Sequence, residues 1–303
     1  MKAYSKIICL CLVLVLFAAM ALGSGSGEGE KKEIVNNEGQ SSNEKSDSAN
    51  TSVSKVEVTI EEQVLLTWED LTITATKYVT DSFWGDGIKV LIENNGTKDL
   101  GISCNALIVN NYMITDLFSA TVAAGKKANE TIYLSSSDLE AAGITNVGQI
   151  EFYFHIYDSS SYSTLYDSDV VVLKTSAYDQ MDTTPNDMGT ELYNDNGIKI
   201  VGQFVEEGSF WGTAVLLYIE NTSGKNVSVS CEDMSINGFM VTPYFYSTVY
   251  ANKMAMDSIT ILSSDLEENG ITAVEDIELK FRIVDSDTYN KIDETDPISF
   301  SAK

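Results

Sequence analysis

The chain has 303 residues, of which 44% are hydrophobic, and it carries a formal net charge of −26 at pH 7. Nucleic acids and anionic membrane surfaces are bound through clustered lysine and arginine side chains. A chain with 45 acidic and 19 basic residues is therefore not expected to have a nucleic-acid partner. Its length is enough for two domains that each bury a core of their own.

The N-terminus has the pattern of an export signal. Lys2 and Lys6 precede an apolar stretch over residues 7–22, and small residues lead to Gly23. This stretch is shorter than the roughly 20 residues that a membrane-spanning helix usually needs. We expect residues 1–23 to be a signal peptide, so that no transmembrane segment remains after cleavage. Retention as an uncleaved anchor is the alternative.

The residues around the expected cleavage site, Ala21-Leu22-Gly23-Ser24, are similar to the lipobox of bacterial lipoproteins. Ser24 occupies the position of the cysteine that accepts the lipid, and a hydroxyl cannot replace that thiolate. We therefore expect an extracytoplasmic protein, secreted or associated with the cell envelope, without a lipid anchor. Residues 24–54 contain almost no apolar side chains, which predicts a disordered linker that spaces the folded part from the envelope.

The rest of the chain is an internal repeat. Residues 82–176 align with residues 209–303 at a constant offset of 127 positions, without a gap, and about 37 of the 95 aligned positions are identical. The strongest blocks are SFWG, IEN, SSDLE and GIT, and each occurs in both copies. Two units of this size indicate duplication of a whole domain rather than a solenoid. We expect module 1 at residues 55–176, a linker at 177–190 and module 2 at 191–303.

Hydrophobic residues alternate with polar residues through both copies, which is typical of β-strands with one buried face. Three such sets recur in each module, namely Ile88, Val90 and Ile92 with Val215, Leu217 and Ile219; Leu100, Ile102 and Cys104 with Val227, Val229 and Cys231; and Phe152, Phe154 and Ile156 with Leu279, Phe281 and Ile283. Turn signals separate the sets every 8–12 residues. We expect an all-β protein of two tandem immunoglobulin-like sandwiches with seven or eight strands each.

One short helix interrupts the strands of each module. In module 1, Ser137 is a suitable N-cap, Glu140 follows three residues later, and Gly143 ends the helix. The second copy repeats this arrangement with Ser264, Glu267 and Gly270. We expect the helix to cross from one sheet to the other.

An SFWG segment before a strand, an IEN turn and an SSDLE…GIT helix, placed after a signal and a tether, together resemble a known type of module. They are similar to the uncharacterised immunoglobulin-like tandem modules of bacterial secreted proteins and lipoproteins, which are related to the mycobacterial immunoprotective antigen fold. The resemblance covers both modules. It implies an extracytoplasmic β-sandwich and transfers no catalytic residue, and the missing lipobox cysteine is the main departure.

Phe83, Trp84, Phe210 and Trp211 are the candidate ligand-binding residues. Exposed tryptophans bind sugars by stacking, and exported modules often bind glycans. However, a tryptophan just before a core strand more often closes the end of a sandwich. The sequence therefore favours a core position for these side chains, with ligand binding as the alternative.

The remaining chemical groups predict no catalytic centre. His155 is the only histidine, it alternates out of phase with its buried neighbours, and a general base or zinc ligand needs positioned partners. Cys104 and Cys231 lie on apolar strand faces, so we expect packed, unbridged thiols. Neither Asp285-Ser286-Asp287 nor Asn194-Asp195-Asn196-Gly197 recurs in the other copy, and so neither predicts a calcium site. Asp138 suits the first turn of the helix.

Without a catalytic triad, a metal-ligand set or a phosphate-binding loop, we expect no enzyme activity, no metal and no cofactor. Two functions remain. The first is a non-catalytic pair of modules that binds a protein or glycan of the cell envelope or of a host. The second is a structural spacer without a specific ligand. A binding module should expose an aromatic or apolar patch on one face, whereas a spacer should expose none.

Overall fold

The computed structural model describes residues 57–81, 83–205 and 213–302. The predicted signal peptide, the predicted linker at 24–54 and the pair Phe210 and Trp211 lie outside these residues. All described elements belong to one compact unit that extends from Ser54 to Lys303. Within the described part of the chain, neither helix is long and apolar enough to cross a membrane.

The first ten strands and the first helix form module 1. They are β1 (Gln63–Trp68), β2 (Leu71–Asp81), β3 (Gly85–Asn94), β4 (Leu100–Val109), β5 (Tyr112–Ile114), β6 (Ser119–Val122), β7 (Lys126–Tyr133), α1 (Ser136–Ala141), β8 (Gln149–Asp158), β9 (Thr164–Asp167) and β10 (Val171–Lys174).

A 3₁₀ turn at Tyr178–Gln180 precedes module 2. The elements of module 2 are β11 (Thr190–Asp195), β12 (Ile198–Val205), β13 (Ala214–Asn221), β14 (Val227–Ile236), β15 (Phe239–Val241), β16 (Tyr246–Val249), β17 (Lys253–Thr260), α2 (Ser263–Glu268), β18 (Asp276–Asp285), β19 (Lys291–Glu294) and β20 (Ile298–Ser301).

Each module is a sandwich of two mainly antiparallel sheets, which confirms the predicted fold class. In module 1 a sheet of order β1-β2-β3-β7 faces strands β10-β8-β4-β5, and β6 and β9 pair with β4 and β8. Module 2 repeats this as β11-β12-β13-β17 and β15-β14-β18-β19, with β16 and β20 beside β14 and β18. The described residues form ten strands in each module rather than the predicted seven or eight, because strands of three or four residues are too short to show alternation.

The alternating sets lie where the sequence predicted. Ile88, Val90 and Ile92 are at most 1% exposed, and Phe152 and Phe154 are fully buried and stack at 5.4 Å between ring centroids. Burial of one such side chain contributes about 1.5–3 kcal/mol. The described residues form two core clusters, one mainly in each module, and the alternation in the two sheets accounts for most of both.

The helices connect the two sheets of each sandwich, as predicted, since α1 lies between β7 and β8 along the chain. The predicted cap of α1 was wrong by two residues, and the predicted Ser264 cap of α2 was also wrong, because Leu262 stands at the N-cap and no side chain caps the helix. The hydroxyl of Ser135, not Ser137, accepts a hydrogen bond from the Asp138 amide. At the other end Gly143 has φ of +70°, and Ile144 N–H donates to the Leu139 carbonyl at 2.8 Å. Glycine is favoured there because it adopts this conformation without strain.

A buried asparagine holds the turn after the IEN segment in each copy. Asn94 Nδ2 donates to the carbonyls of Lys98 and Val122 at 2.8 and 2.9 Å, and Asn94 Oδ1 accepts from Gly96 N–H. Asn221 makes the equivalent bonds in module 2. Because these amides are buried and fully bonded, their identity in both copies has a structural reason.

The two modules share one sheet. Strand β5 of module 1 pairs in parallel with β17 of module 2, so that Met254 lies opposite Tyr112. Met254 N–H donates to the Asn111 carbonyl at 2.9 Å. The sheet therefore continues from one module into the next without an edge between them, which the sequence did not predict.

Side chains reinforce this junction. Lys253 Nζ lies 2.6 Å from Glu151 Oε1, and these side chains are 14% and 6% exposed. Tyr218 and Met254 of module 2 are part of the core cluster of module 1. The linker also contributes, since Asn186 N–H donates to the Tyr112 hydroxyl at 3.0 Å. The modules are thus docked through a buried ion pair and continuous apolar packing.

Candidate functional site

The tip of the β2–β3 hairpin is fixed by its own sequence. Asp81 Oδ1 accepts hydrogen bonds from the backbone N–H groups of Phe83 and Trp84 at 2.7 and 2.9 Å. These bonds lower the pKa of Asp81. Gly85 has φ of +80°, and a Cβ atom there would collide with the Ser136 hydroxyl. An aspartate before the tip and a glycine after it therefore define how the two aromatic residues are presented.

Both aromatic side chains of this tip are exposed to solvent. Phe83 is 81% and Trp84 59% exposed. Their rings meet edge to face at 4.9 Å, and the Trp84 ring lies 5.9 Å from that of Tyr133 on β7. The favoured core position is therefore wrong for module 1, because the turn directs both side chains away from the sandwich. The equivalent pair, Phe210 and Trp211, lies outside the described residues.

A groove of about 370 Å³ adjoins the tip, between the hairpin and α1. Gly85 and Asp86 line one side, and Leu139, Glu140 and Ile144 line the other. Module 2 has a groove of about 320 Å³ in the equivalent place. The two grooves share identical residues at five positions, which are Ser136 and Ser263, Leu139 and Leu266, Glu140 and Glu267, Ile144 and Ile271, and Thr145 and Thr272.

The blocks that are identical between the copies thus come together at one end of module 1. Phe83, Trp84 and Gly85 of the SFWG block lie at the hairpin tip, while SSDLE and GIT form the helix and the turn after it. The acidic side chains of Asp86 and Glu140 line the groove beside the aromatic tip, and Thr80 Oγ1 donates to Asp86 Oδ1 at 2.6 Å. Aromatic faces stack on flat apolar surfaces, and carboxylates accept hydrogen bonds from hydroxyl or amide groups. This arrangement suits recognition of a polar ligand that also has an apolar face.

Cys104 and Cys231, the cysteines of the described residues, are unbridged. Cys231 is buried, and its burial raises the pKa of the thiol to about 11. Cys104 is half-buried, and desolvation, together with the charge of Asp116, raises its pKa as well. The prediction of packed thiols is confirmed for Cys231 and holds in part for Cys104. Neither environment favours the reactive thiolate.

His155 has a partner that the sequence did not reveal. Its Nδ1 lies 2.6 Å from Asp167 Oδ1, and Asn105 donates to the same oxygen at 2.8 Å. The hydrogen bond from His155 is the main cause that lowers the pKa of Asp167. The imidazole also stacks on Tyr157 at 5.5 Å. Strand β9 brings Asp167 beside His155, and pairing between strands is not readable from local alternation.

The repeated aspartates hold turns and loops. Asp158 accepts hydrogen bonds from the side chain of Ser160 and from the backbone amides of Ser160 and Ser161, which lower its pKa to about 2. Asp285 makes the same turn in module 2. Asp138 lies in the first turn of α1, as predicted, and its Oδ2 accepts from Thr115 N–H at 2.7 Å. Among the described residues, no three potential ligands form a metal-binding group.

No family model matches the chain, and no curated protein matches it. Among solved structures, it is similar to the SafA pilin of Salmonella enterica in complex with the SafB chaperone, with 11% identity, a TM-score of 0.21, and coverage of 71% of this chain and 88% of that chain. It is also similar to a protein of unknown function from Porphyromonas gingivalis W83, with 10% identity, a TM-score of 0.20, and coverage of 77% and 90%. Both scores are low, and the sandwich assignment rests on the sheets described above.

Proposed function

We propose that this protein is a non-catalytic, exported binding protein of the cell envelope or extracellular space, and that it captures its partner at the hairpin end of module 1. The contact residues are Phe83 and Trp84, and the groove beside α1 extends the surface. Membership in the immunoglobulin-like tandem modules of bacterial secreted proteins is part of this proposal. A glycan is the partner that the chemistry favours, and a protein of the envelope or host is the alternative.

The observation that carries the proposal is the exposure of two large aromatic side chains that the duplication has kept. A buried aromatic residue recurs because the core needs it, but an 81% exposed Phe83 beside a 59% exposed Trp84 contributes little to packing. Large aromatic residues supply most of the contact energy in many binding sites. Their rigid presentation by Asp81 and Gly85 lowers the entropy cost of binding.

A spacer without a ligand is the second candidate. The continuous sheet and the buried pair of Lys253 and Glu151 favour it, because two docked modules hold distance better than two modules on a flexible linker. A spacer, however, has no use for an exposed aromatic tip with a fixed conformation. The two functions are compatible, since a rigid support also holds a binding tip away from the envelope.

The test is a capture experiment with residues 54–303 immobilised on beads and exposed separately to glycan and protein fractions of cell envelopes. We expect a glycan fraction to be retained by the native protein and lost in the double variant Phe83→Ala/Trp84→Ala. Tyr289→Ala, which removes a 73% exposed aromatic ring of module 2, is the matched control and should retain the fraction. Equal retention by all three proteins, or by none, would contradict the proposed site.

A further inference from the structure

Each strand of the junction between the modules has an equivalent strand elsewhere in the described part of the chain. Within the chain, β5 of module 1 pairs with β17 of module 2. At the offset of 127 residues, β15 corresponds to β5, and β7 corresponds to β17. Strands β15 and β7 are the terminal strands of their sheets in the described part of the chain. Each molecule therefore has one edge strand of the β5 type, which is β15, and one edge strand of the β17 type, which is β7.

We propose that copies of this protein associate head to tail, with β15 of one copy pairing in parallel with β7 of the next. The junction inside the chain is the template for this contact. Because the contact joins two different surfaces, it repeats without closing on itself unless the rotation happens to form a ring. The proposal goes beyond the function proposed above and uses other residues.

The charged residues that hold the internal junction have identical equivalents on or near β7 and β15. Lys126 is the equivalent of Lys253, and Glu278 is the equivalent of Glu151. The internal pair is buried, whereas Lys126 and Glu278 are both exposed. In the proposed contact, Lys126 of one copy meets Glu278 of the next, and the pair would be covered as it is between the modules.

The apolar part of β15 is also kept and is exposed. Phe239 and Met240 replace Tyr112 and Met113, and they are 47% and 66% exposed. An unpaired strand edge with such side chains is a template for pairing with another chain. A second copy is the occupant that the repeat specifies, because its β7 has the register and the lysine that β17 supplies within the chain.

The receiving edge is less apolar than its internal counterpart. Lys127 stands where Met254 lies in the internal junction, and Leu91 stands where Tyr218 lies. Lys127 forms an ion pair with Glu93. We therefore expect the contact between copies to be weaker than the docking of the modules and to depend on protein concentration. Lysines on an edge strand can also prevent pairing with another chain. The experiment must therefore distinguish a β7 edge that binds a second copy from one that repels it.

Sedimentation velocity of residues 54–303 at rising protein concentration tests the proposal. We expect a concentration-dependent increase in average mass for the native protein. Lys126→Glu and Glu278→Lys each place like charges in the contact, and each should weaken association by about tenfold or more. Lys174→Glu, a matched change at an exposed lysine of β10, which lies beside β1 at the edge of module 1 opposite β7, should associate like the native protein.

Mixing the two variants makes the test specific. In an alternating chain, the glutamate introduced at position 126 of one variant faces the lysine introduced at position 278 of the other, and the remaining contact is the native one. An equimolar mixture of Lys126→Glu and Glu278→Lys should therefore regain association that neither variant shows alone. A native protein that stays monomeric at every concentration would overturn the proposal. So would association that both variants retain, or a mixture that shows no recovery. Trp84→Ala should leave association unchanged, which separates this result from the proposed binding site.

Discussion

The buried ion pair between the modules gives the sharpest prediction about stability. Replacing Lys253 by alanine leaves the carboxylate of Glu151, which is 6% exposed, without its cation. Breaking a buried pair by removing one partner costs about 3–5 kcal/mol. Because Gln149 Nε2 also donates to Glu151 at 2.8 Å, we expect the lower end, about 3 kcal/mol. For a domain unit of this size the loss corresponds to a fall in Tm of about 6–12 °C.

Urea unfolding and calorimetry of residues 54–303, at a concentration where the protein is monomeric, measure this loss. Lys126→Ala is the matched control, because it removes the equivalent but exposed lysine of module 1 and should change the free energy of unfolding by no more than about 0.5 kcal/mol. Replacing both Lys253 and Glu151 by apolar residues of similar volume should recover most of the loss. If Lys253→Ala costs no more than Lys126→Ala, the pair is solvated and the modules are not docked through a buried contact.

Single-site variants and thiol labelling give three more predictions. Trp84→Ala should leave Tm within about 2 °C of the native value, since the side chain is exposed. Trp68→Ala removes a ring stacked on that of Tyr166 and should lower the free energy of unfolding by about 3 kcal/mol. Equal losses of stability in the two variants would mean that Trp84 is a core residue. Cys231 should resist alkylation at pH 8 and react in denaturant, because its pKa of about 11 keeps the thiol protonated. Cys104 should react slowly, because its pKa is raised as well. Mass spectrometry of the labelled protein measures both, and rapid labelling of either thiol in the native protein would refute this prediction. Asn94→Ala should cost about 2–3 kcal/mol in chemical denaturation because buried carbonyls lose their donor, and a loss below about 0.5 kcal/mol would show that water replaces the amide.

The regular part of the fold could be predicted from the sequence because it depends on local patterns. Alternation at Ile88, Val90 and Ile92 needs only a period of two residues, and the constant offset between the copies identifies the duplication directly. The cap of α1 could not be placed correctly because Ser135, Ser136 and Ser137 are all chemically suitable, and only backbone geometry distinguishes them. Short strands such as β5 carry too few residues to show a period.

The candidate site and the junction depend on contacts that local patterns do not contain. The size of Phe83 and Trp84 favours the core, whereas in the structure they lie in a turn held by Asp81 and both side chains are exposed. The pairing of Tyr112 with Met254 joins residues far apart in the chain. The sequence does show that Lys126 and Lys253 occupy equivalent positions, as do Glu151 and Glu278. Only the structure shows that Lys253 forms its ion pair with Glu151.

The proposed binding site is tested most directly by one comparison. The affinity of the captured partner is measured at equilibrium for the native protein and for Trp84→Ala, together with the Tm of each protein. We expect the two proteins to have the same Tm within about 2 °C, as for other exposed positions. We also expect the affinity of the variant to fall by about thirtyfold or more, as for a contact residue worth about 2 kcal/mol. A variant that binds with native affinity, or one that loses binding only because its Tm has collapsed, would contradict the claim that this exposed aromatic tip is the binding site.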